Sequence, residues 1–303
     1  MENDIHLQNS IIQPVNPHFR DKPSVVLEVL RLDLIHPVIS GNKFFKLRFY
    51  LEKALQEKSK GILTFGGAWS NHILATAYAG KKAGLHSVGI IRGEAPITLS
   101  PTLQDARELG MKLIFTKRDE YRKILQDPKS IIDFDYSGYT IIPEGGFGIT
   151  GMQGASTIHE LIPKNQYDWI VCACGTGTMM AGLLHASSTE ENILGIPVLK
   201  NYTTMEKEIS MLLPATDQLK NINLDHAYHF GGYAKKTTEL IDFMNAFFKS
   251  NAIPTDFIYT GKLMFALYDL IRKDFFPTGS RILAIHSGGL QGNRSLKKGI
   301  LDF

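Results

Sequence analysis

The sequence predicts an α/β protein of two lobes, built on open, mostly parallel sheets with helices on both faces. Three observations predict it. Short apolar runs rich in branched residues alternate with stretches of helical periodicity, and strands that alternate with helices pair mostly in parallel. Several of these runs end in glycine-rich or polar breaks, where open α/β sheets present ligands. The chain has 303 residues, 44% hydrophobic and 21% charged, enough for a substantial core and more than one lobe.

In chain order, Ser24 to Leu32 (SVVLEVLRL) reads as a strand leading into Ser40-Gly41-Asn42-Lys43. A helix follows, with apolar residues at helical spacing from Leu47 to Ser59 and a glycine, Gly61, closing it. The turn delivers Lys43 just ahead of that helix, where its amine can project from fixed backbone into a cleft. A partly desolvated lysine loses its proton more readily and can condense with an aldehyde. Taken alone, such a lysine is more often a solvated residue on a first helical turn.

Ile62 to Phe65 is the next strand, then Gly66 to His72 (GGAWSNH), then a small-residue helix through Lys82. Strand, glycine turn, polar cap and helix suit an anion, because N–H groups at a helix start lack partners; a plain N-cap by Ser70 or Asn71 fits equally. The pattern repeats with a strand from His86 to Ile91, a helix from Thr102 to Leu109, and strands at Lys112 to Phe115 and Thr140 to Pro143. Glu144 to Gly148 (EGGFG) is a ligand-side loop leading into a helix from about Thr150 to Leu161. Asp168 to Ala173 is a buried strand, and Cys174-Gly175-Thr176-Gly177-Thr178 opens the helix Met179 to Ala186. Glycines, hydroxyls and a helix start at Gly175, Thr176, Gly177 and Thr178 suit one small phosphate. Neither a P-loop nor the three-glycine dinucleotide fingerprint is present.

After a strand from Ile193 to Pro197, the stretch Tyr202 to Lys236 reads as polar connections, with His226 to His229 as a strand that points its two histidines to opposite faces. No metal site is expected from them. Leu240 to Lys249 is an amphipathic helix. Asp256 to Lys262 (DFIYTGK) precedes a helix from Leu263 to Ile271, and the final strand, Arg281 to Ile285, ends in His286-Ser287-Gly288-Gly289.

Composition excludes several classes of function. A net charge of +3 with interspersed signs calls for no polyanionic partner, so no nucleic acid is expected. No window suits a secretion signal or a membrane span, and a cytoplasmic protein is expected. Cys172 and Cys174 fall on one face of a strand, where a bridge would be strained; free buried thiols and no zinc are expected.

The ordered motifs Gly41-Asn42-Lys43 with Lys46-Leu47, Gly66-Gly67 with Ser70-Asn71-His72, the Gly175 turn with Ala181-Gly182-Leu183, Tyr259 to Lys262, and His286 to Gly289 resemble the 1-aminocyclopropane-1-carboxylate deaminase / D-cysteine desulfhydrase family. These are pyridoxal-phosphate enzymes of fold type II, built like the tryptophan synthase β subunit. The resemblance spans about Arg31 to Gly289. It implies that Lys43 carries the cofactor aldehyde, that Asn71 contacts its ring hydroxyl, and that Gly175 to Thr178 hold its phosphate. It further implies that Ser70, Asn71 and His72 sit against the substrate, with Ser70 a candidate proton carrier and Tyr259 a candidate base or nucleophile. Thr260 and Ser287 fall on the cofactor side, Lys46 and Lys262 are nearby charges with structural or solvated roles, and the family implies a homodimer.

Two positions bear on activity. The deaminase pattern has a glutamate after the tyrosine and an apolar residue in the His-x-Gly-Gly turn; this chain has Thr260 and Ser287. A neutral hydroxyl leaves the cofactor ring a weaker electron sink, which matters less for eliminating a thiol than for opening a cyclopropane. The expectation is a lyase acting on a small amino acid, with D-cysteine desulfhydrase-like β-elimination to pyruvate, ammonia and sulfide. The alternatives are cyclopropane-ring deamination, racemisation, or non-catalytic binding of the cofactor or a phosphorylated metabolite. Glu144 and Trp69 depart from the family pattern. The expected lobes are residues 1–44 with 147–303, binding the cofactor, and a smaller 45–146.

Overall fold

Two sheets, one of six strands and one of four, organise the computed structural model, which describes residues 5–15, 25–127, 135–188, 190–217 and 221–303. Ser24, the first residue of the first predicted strand, lies outside the described residues. The larger sheet has six strands: β1 (Ile12–Val15), β2 (Val26–Arg31), β7 (Trp169–Cys174), β8 (Asn192–Pro197), β9 (Asn223–Leu224) and β10 (Arg281–His286). Their order is β1-β2-β10-β7-β8-β9, so β10, from near the end of the chain, lies between β2 and β7. It pairs in parallel with both, Ile285 opposite Leu30 and Cys172. Only β1, paired with β2, is antiparallel. The smaller sheet runs β5-β4-β3-β6, all parallel, from β3 (Gly61–Gly66), β4 (His86–Arg92), β5 (Lys112–Thr116) and β6 (Tyr139–Ile142).

Parallel strands read as unbroken apolar runs because helices cover both faces. β3 is buried at all six positions. Helix α1 (Asn42–Gln56) packs against α5 (Ile149–Ser156), and α5 against α6 (Thr178–Ala186), beneath a core that includes Phe44, Leu47 and Met152. α2 (Asn71–Ala83) starts from a Ser70 cap whose Oγ accepts from Ile73 N. α3 (Pro101–Glu108) packs on α2, while α8 (Thr238–Asn251) and α9 (Thr260–Arg272) pair on the larger sheet's other side.

Two helices were not expected: α4 (Arg118–Gln126), in a stretch to which no element was assigned, and α7 (Met205–Leu212), within the Tyr202 to Lys236 stretch read as polar connections. Each buries just two or three side chains, so the apolar stripe is thin against a charged background. His226 to Tyr228 forms a 3-10 turn rather than the expected strand, because the Asp225 carboxylate accepts from Ala227 N and closes the backbone locally. Cys172 and Cys174 are free and buried, as read from their spacing. No helix among the described residues is long and apolar enough to cross a membrane.

The carboxyl ends of β3, β4, β6, β7 and β10 all run out at one cavity of about 690 Å³, lined by Gly67, Arg92, Pro143, Gly175 and Ser287 just at or after those strands.

Candidate active site

Lys43 reaches this cavity because two turns interlock. Gly41 has φ +64, and a Cβ on it would lie 1.9 Å from Ser287 O, so only glycine lets the two backbones touch. Asn42 N then donates to Ser287 O at 3.2 Å. Lys43 follows on the first turn of α1, lines the cavity, and donates from Nζ to Asn42 Oδ1 at 3.0 Å. Burial lowers its amine to about 8, against a smaller opposing pull from the Asp256 carboxylate. About a tenth of such an amine is unprotonated at neutral pH, against a negligible share of an ordinary lysine. The rate at which the cofactor-free protein takes up an aldehyde should therefore rise with pH and level off above about 8. Stopped-flow absorbance checks this; a rise continuing towards pH 10 would show an ordinary amine.

A glycine-threonine turn lies on the same cavity. Gly177 has φ +71 and caps α6, placing Gly175, Thr176 and Gly177 on the lining at the start of that helix. Thr178 is fully buried and its hydroxyl meets that of Thr176 at 2.9 Å, so Thr176 is the threonine facing the space. Lys46, one turn beyond Lys43, is buried rather than solvated. Burial, then the neighbouring Lys43, holds its amine well below the usual value, and it donates to Gly145 O at 3.5 Å.

Ser70, Asn71 and His72 line the opposite side. Asn71 Oδ1 is buried without a hydrogen-bond partner, an acceptor waiting for a donor. His72 is also buried; its Nε2 lies 2.8 Å from Thr64 Oγ1, which itself donates to Ile142 O. The hydroxyl proton being used, His72 must donate from Nε2, leaving Nδ1 as a bare lone pair, and Nδ1 is buried and unpartnered. Burial and the Lys43 and Lys46 amines keep the ring well below its ordinary value.

Tyr259 and Ser287 also line the cavity, but Thr260 does not. Its hydroxyl donates to Asp256 Oδ2 at 2.7 Å and accepts from Asp256 N at 2.8 Å. Asp256, which sequence reasoning passed over, is fully buried and accepts from Ile258 N, Tyr259 N, Thr260 N and Thr260 Oγ1. It caps α9 and so sets where Tyr259 stands. Burial, then Tyr233 and Asp256, push the Tyr259 phenol well above its usual value, so it stays protonated at neutral pH.

Tyr233 is a second residue the sequence concealed. Its ring lies edge-on to Tyr259, centroids 6.3 Å apart, on the cavity wall. The loop before it is held by Lys262, which is fully buried and donates to His229 O at 2.9 Å and Gly232 O at 2.8 Å. Lys262→Met should strand both carbonyls, cost about 2–4 kcal/mol in stability, and speed hydrogen exchange at Gly231 and Gly232. Unchanged exchange there would show that the loop holds without the lysine.

A lowered lysine amine and a glycine turn at a helix start, facing one cavity, suit an enzyme that carries a phosphorylated aldehyde on a lysine. The chain belongs to the pyridoxal-phosphate dependent enzyme family, whose sequence profile matches residues 24–288. A Pyrococcus abyssi protein provisionally named 1-aminocyclopropane-1-carboxylate deaminase is 30% identical over 294 residues, covering 91% of this chain and 88% of its own. The D-cysteine desulfhydrase of Salmonella paratyphi A is 26% identical over 297 residues, covering 90% and 89%. A solved structure described as an ACC deaminase homologue superposes with a TM-score of 0.79 at 27% identity, over 96% of this chain and 93% of that one. The fold is that of the tryptophan synthase β-like enzymes, and the cofactor is pyridoxal 5'-phosphate. The cavity fits it: Lys43 meets the aldehyde chemistry, the Gly175 turn the phosphate chemistry, and the orphaned Asn71 Oδ1 a ring hydroxyl.

Proposed function

We propose that the enzyme removes the β-substituent of a small amino acid by elimination, D-cysteine and water giving pyruvate, ammonia and hydrogen sulfide. Lys43 holds the cofactor, Gly175, Thr176 and Gly177 take its phosphate with Thr178 bracing the turn, and Asn71 and Ser287 meet its ring. When bound, the cofactor supplies an electron sink for the charge left as the α-hydrogen departs.

The chain's own residues do the rest. Lys43 Nζ, poised near pH 8, accepts the α-proton. The Ser70 hydroxyl and the exposed N–H groups at the start of α2 receive the substrate carboxylate, which suits a helix N-terminus. Ser70 Oγ accepts from Ile73 N, so its own proton remains free to give. Tyr259 Oη, held protonated, offers the departing sulfur a hydrogen bond. Thr260 serves through Asp256 by fixing Tyr259, rather than by touching the cofactor.

The observation that favours elimination over ring opening is that neither position 260 nor position 287 brings a carboxylate to the cavity: Thr260 faces Asp256, and Ser287 presents a hydroxyl. The relatives' names cover both activities. Borohydride treatment of the holoenzyme should fix the cofactor on the Lys43 peptide. Sulfide release from D-cysteine should exceed ammonia release from 1-aminocyclopropane-1-carboxylate; the reverse order would overturn the elimination reading while leaving the cofactor site intact. We also propose a homodimer, and lobes of residues 1–44 with 147–303 and 45–146. Support for the lobes comes from the four-stranded sheet falling within 61–142.

A further inference from the structure

The reading above leaves one pair of cavity charges unused. Arg92 ends β4, Glu144 follows β6, and both line the cavity that holds Lys43 and Tyr259. Their positions are tied to the two functional loops. A Cβ on Gly67 would lie 3.4 Å from Arg92 Nη2, which puts the guanidinium against the loop carrying Ser70. Gly145, next to Glu144, lies so close to Thr176 that a Cβ would meet its Cγ2 at 2.9 Å. The pair therefore spans from the substrate loop to the phosphate turn.

It is also loosely made. Arg92 Nη1 and Glu144 Oε1 are 4.0 Å apart, with 43% and 32% of the side chains exposed, and an ion pair so long and so solvated holds little energy. Arg92 additionally lies over the Tyr121 ring at 5.7 Å. The other carboxylate on the cavity wall, Glu208, is bonded to Tyr202 and Thr204. Glu144 faces the Tyr121 phenol, which its charge helps to hold protonated, and beyond that, among the described residues, only Arg92. Its charge is among those that raise the Tyr233 and Tyr259 phenols, which places it within electrostatic reach of the groups over the substrate.

We propose that Arg92 and Glu144 read the part of the substrate beyond its β-carbon, and that the favoured substrate is a β-thioether amino acid whose distal end is zwitterionic. The proposal rests on the elimination reading. Charge matching carries it. A substrate tail that enters expels water from both side chains, and each charge then needs a partner. An apolar tail leaves the two charges only each other, 4.0 Å apart. A singly charged tail satisfies one residue and opposes the other. A tail bearing both a carboxylate and an ammonium can lay the first on Arg92 and the second on Glu144. The reaction balances as before: the Cα–H and Cβ–S bonds break, the thiol leaves with a proton, and water completes pyruvate and ammonia.

The test uses holoenzyme and thioethers of cysteine differing only in the tail: S-ethyl, S-(2-aminoethyl), S-(2-carboxyethyl), and S-(3-amino-3-carboxypropyl), in both configurations at the α-carbon. Pyruvate release gives kcat/KM, and calorimetry with the α-methyl analogues, which cannot lose an α-proton, gives binding alone. Wild type should favour the zwitterionic tail over S-ethyl by about tenfold or more, and Arg92→Gln and Glu144→Gln should each erase most of that ratio. A ratio near one, a ratio the variants leave unaltered, or equal preference for a singly charged tail would overturn the proposal. If no compound, D-cysteine included, yields pyruvate, the elimination reading fails; the binding ratios then still decide whether the pair reads the tail.

Discussion

Lys43→Ala holoenzyme should lose about 10³-fold or more in kcat, the size expected when a positioned proton acceptor is removed, equivalent to about 4 kcal/mol of barrier. Borohydride should no longer fix cofactor to the α1 peptide. The loss concerns the amine and not the charge, so Lys43→Arg should be nearly as damaging: a guanidinium does not give up its proton in the range where Lys43 does. Lys46→Ala supplies the contrast. Lys46 is buried beside Lys43, whose charge lowers the Lys46 amine further, yet that amine is spent on Gly145 O. Its removal should leave the covalent link in place. Persistence of the borohydride label in Lys43→Ala, on Lys46 or elsewhere, would displace Lys43 from the centre of the site.

How much of this was legible depended on the kind of signal each residue leaves. The glycine turns could be read because they combine a rare backbone requirement with a strand before and a helix after, and Lys43, Asn71, the Gly175 turn, Tyr259 and Ser287 do share one cavity. Buried polar groups that act through others left no such mark. Asp256 reads in sequence like any loop aspartate; only the folded chain shows it accepting four hydrogen bonds beneath Tyr259. Thr260 was misplaced for the same reason, since one residue's rotation separates a cavity wall from the cap behind it. Tyr233 sits in a loop with no periodicity, and its position is fixed by Lys262, distant in sequence. His72 was recognised as a site residue, but its polarity follows from Thr64 and Ile142 on two neighbouring strands, which no local motif encodes. α4 and α7 escaped because so few of their side chains are buried.

Gly41→Ala should be the most damaging small substitution in the chain, and it tests the interlocked turns directly. At φ +64 and ψ −151 the backbone lies in a region open almost solely to glycine, where another residue costs about 1–3 kcal/mol. The added Cβ would also stand 1.9 Å from Ser287 O, so the two turns must separate, at a further cost of about 1–3 kcal/mol. That separation breaks the Asn42 N to Ser287 O bond and moves Lys43 relative to the cofactor ring. Gly84→Ala is the milder comparison. Gly84 ends α2 in the left-handed helical region, φ +68 and ψ 22, with nothing within 4 Å of a Cβ, so it carries a smaller conformational cost and no collision. In thermal melts at equal cofactor loading, Gly41→Ala should fall several degrees below Gly84→Ala, and it alone should lose borohydride labelling of Lys43. Equal melting temperatures with full labelling in both would mean that the loops bearing Lys43 and Ser287 do not depend on each other, and the catalytic amine would have to be positioned by the packing of α1 against α5 instead.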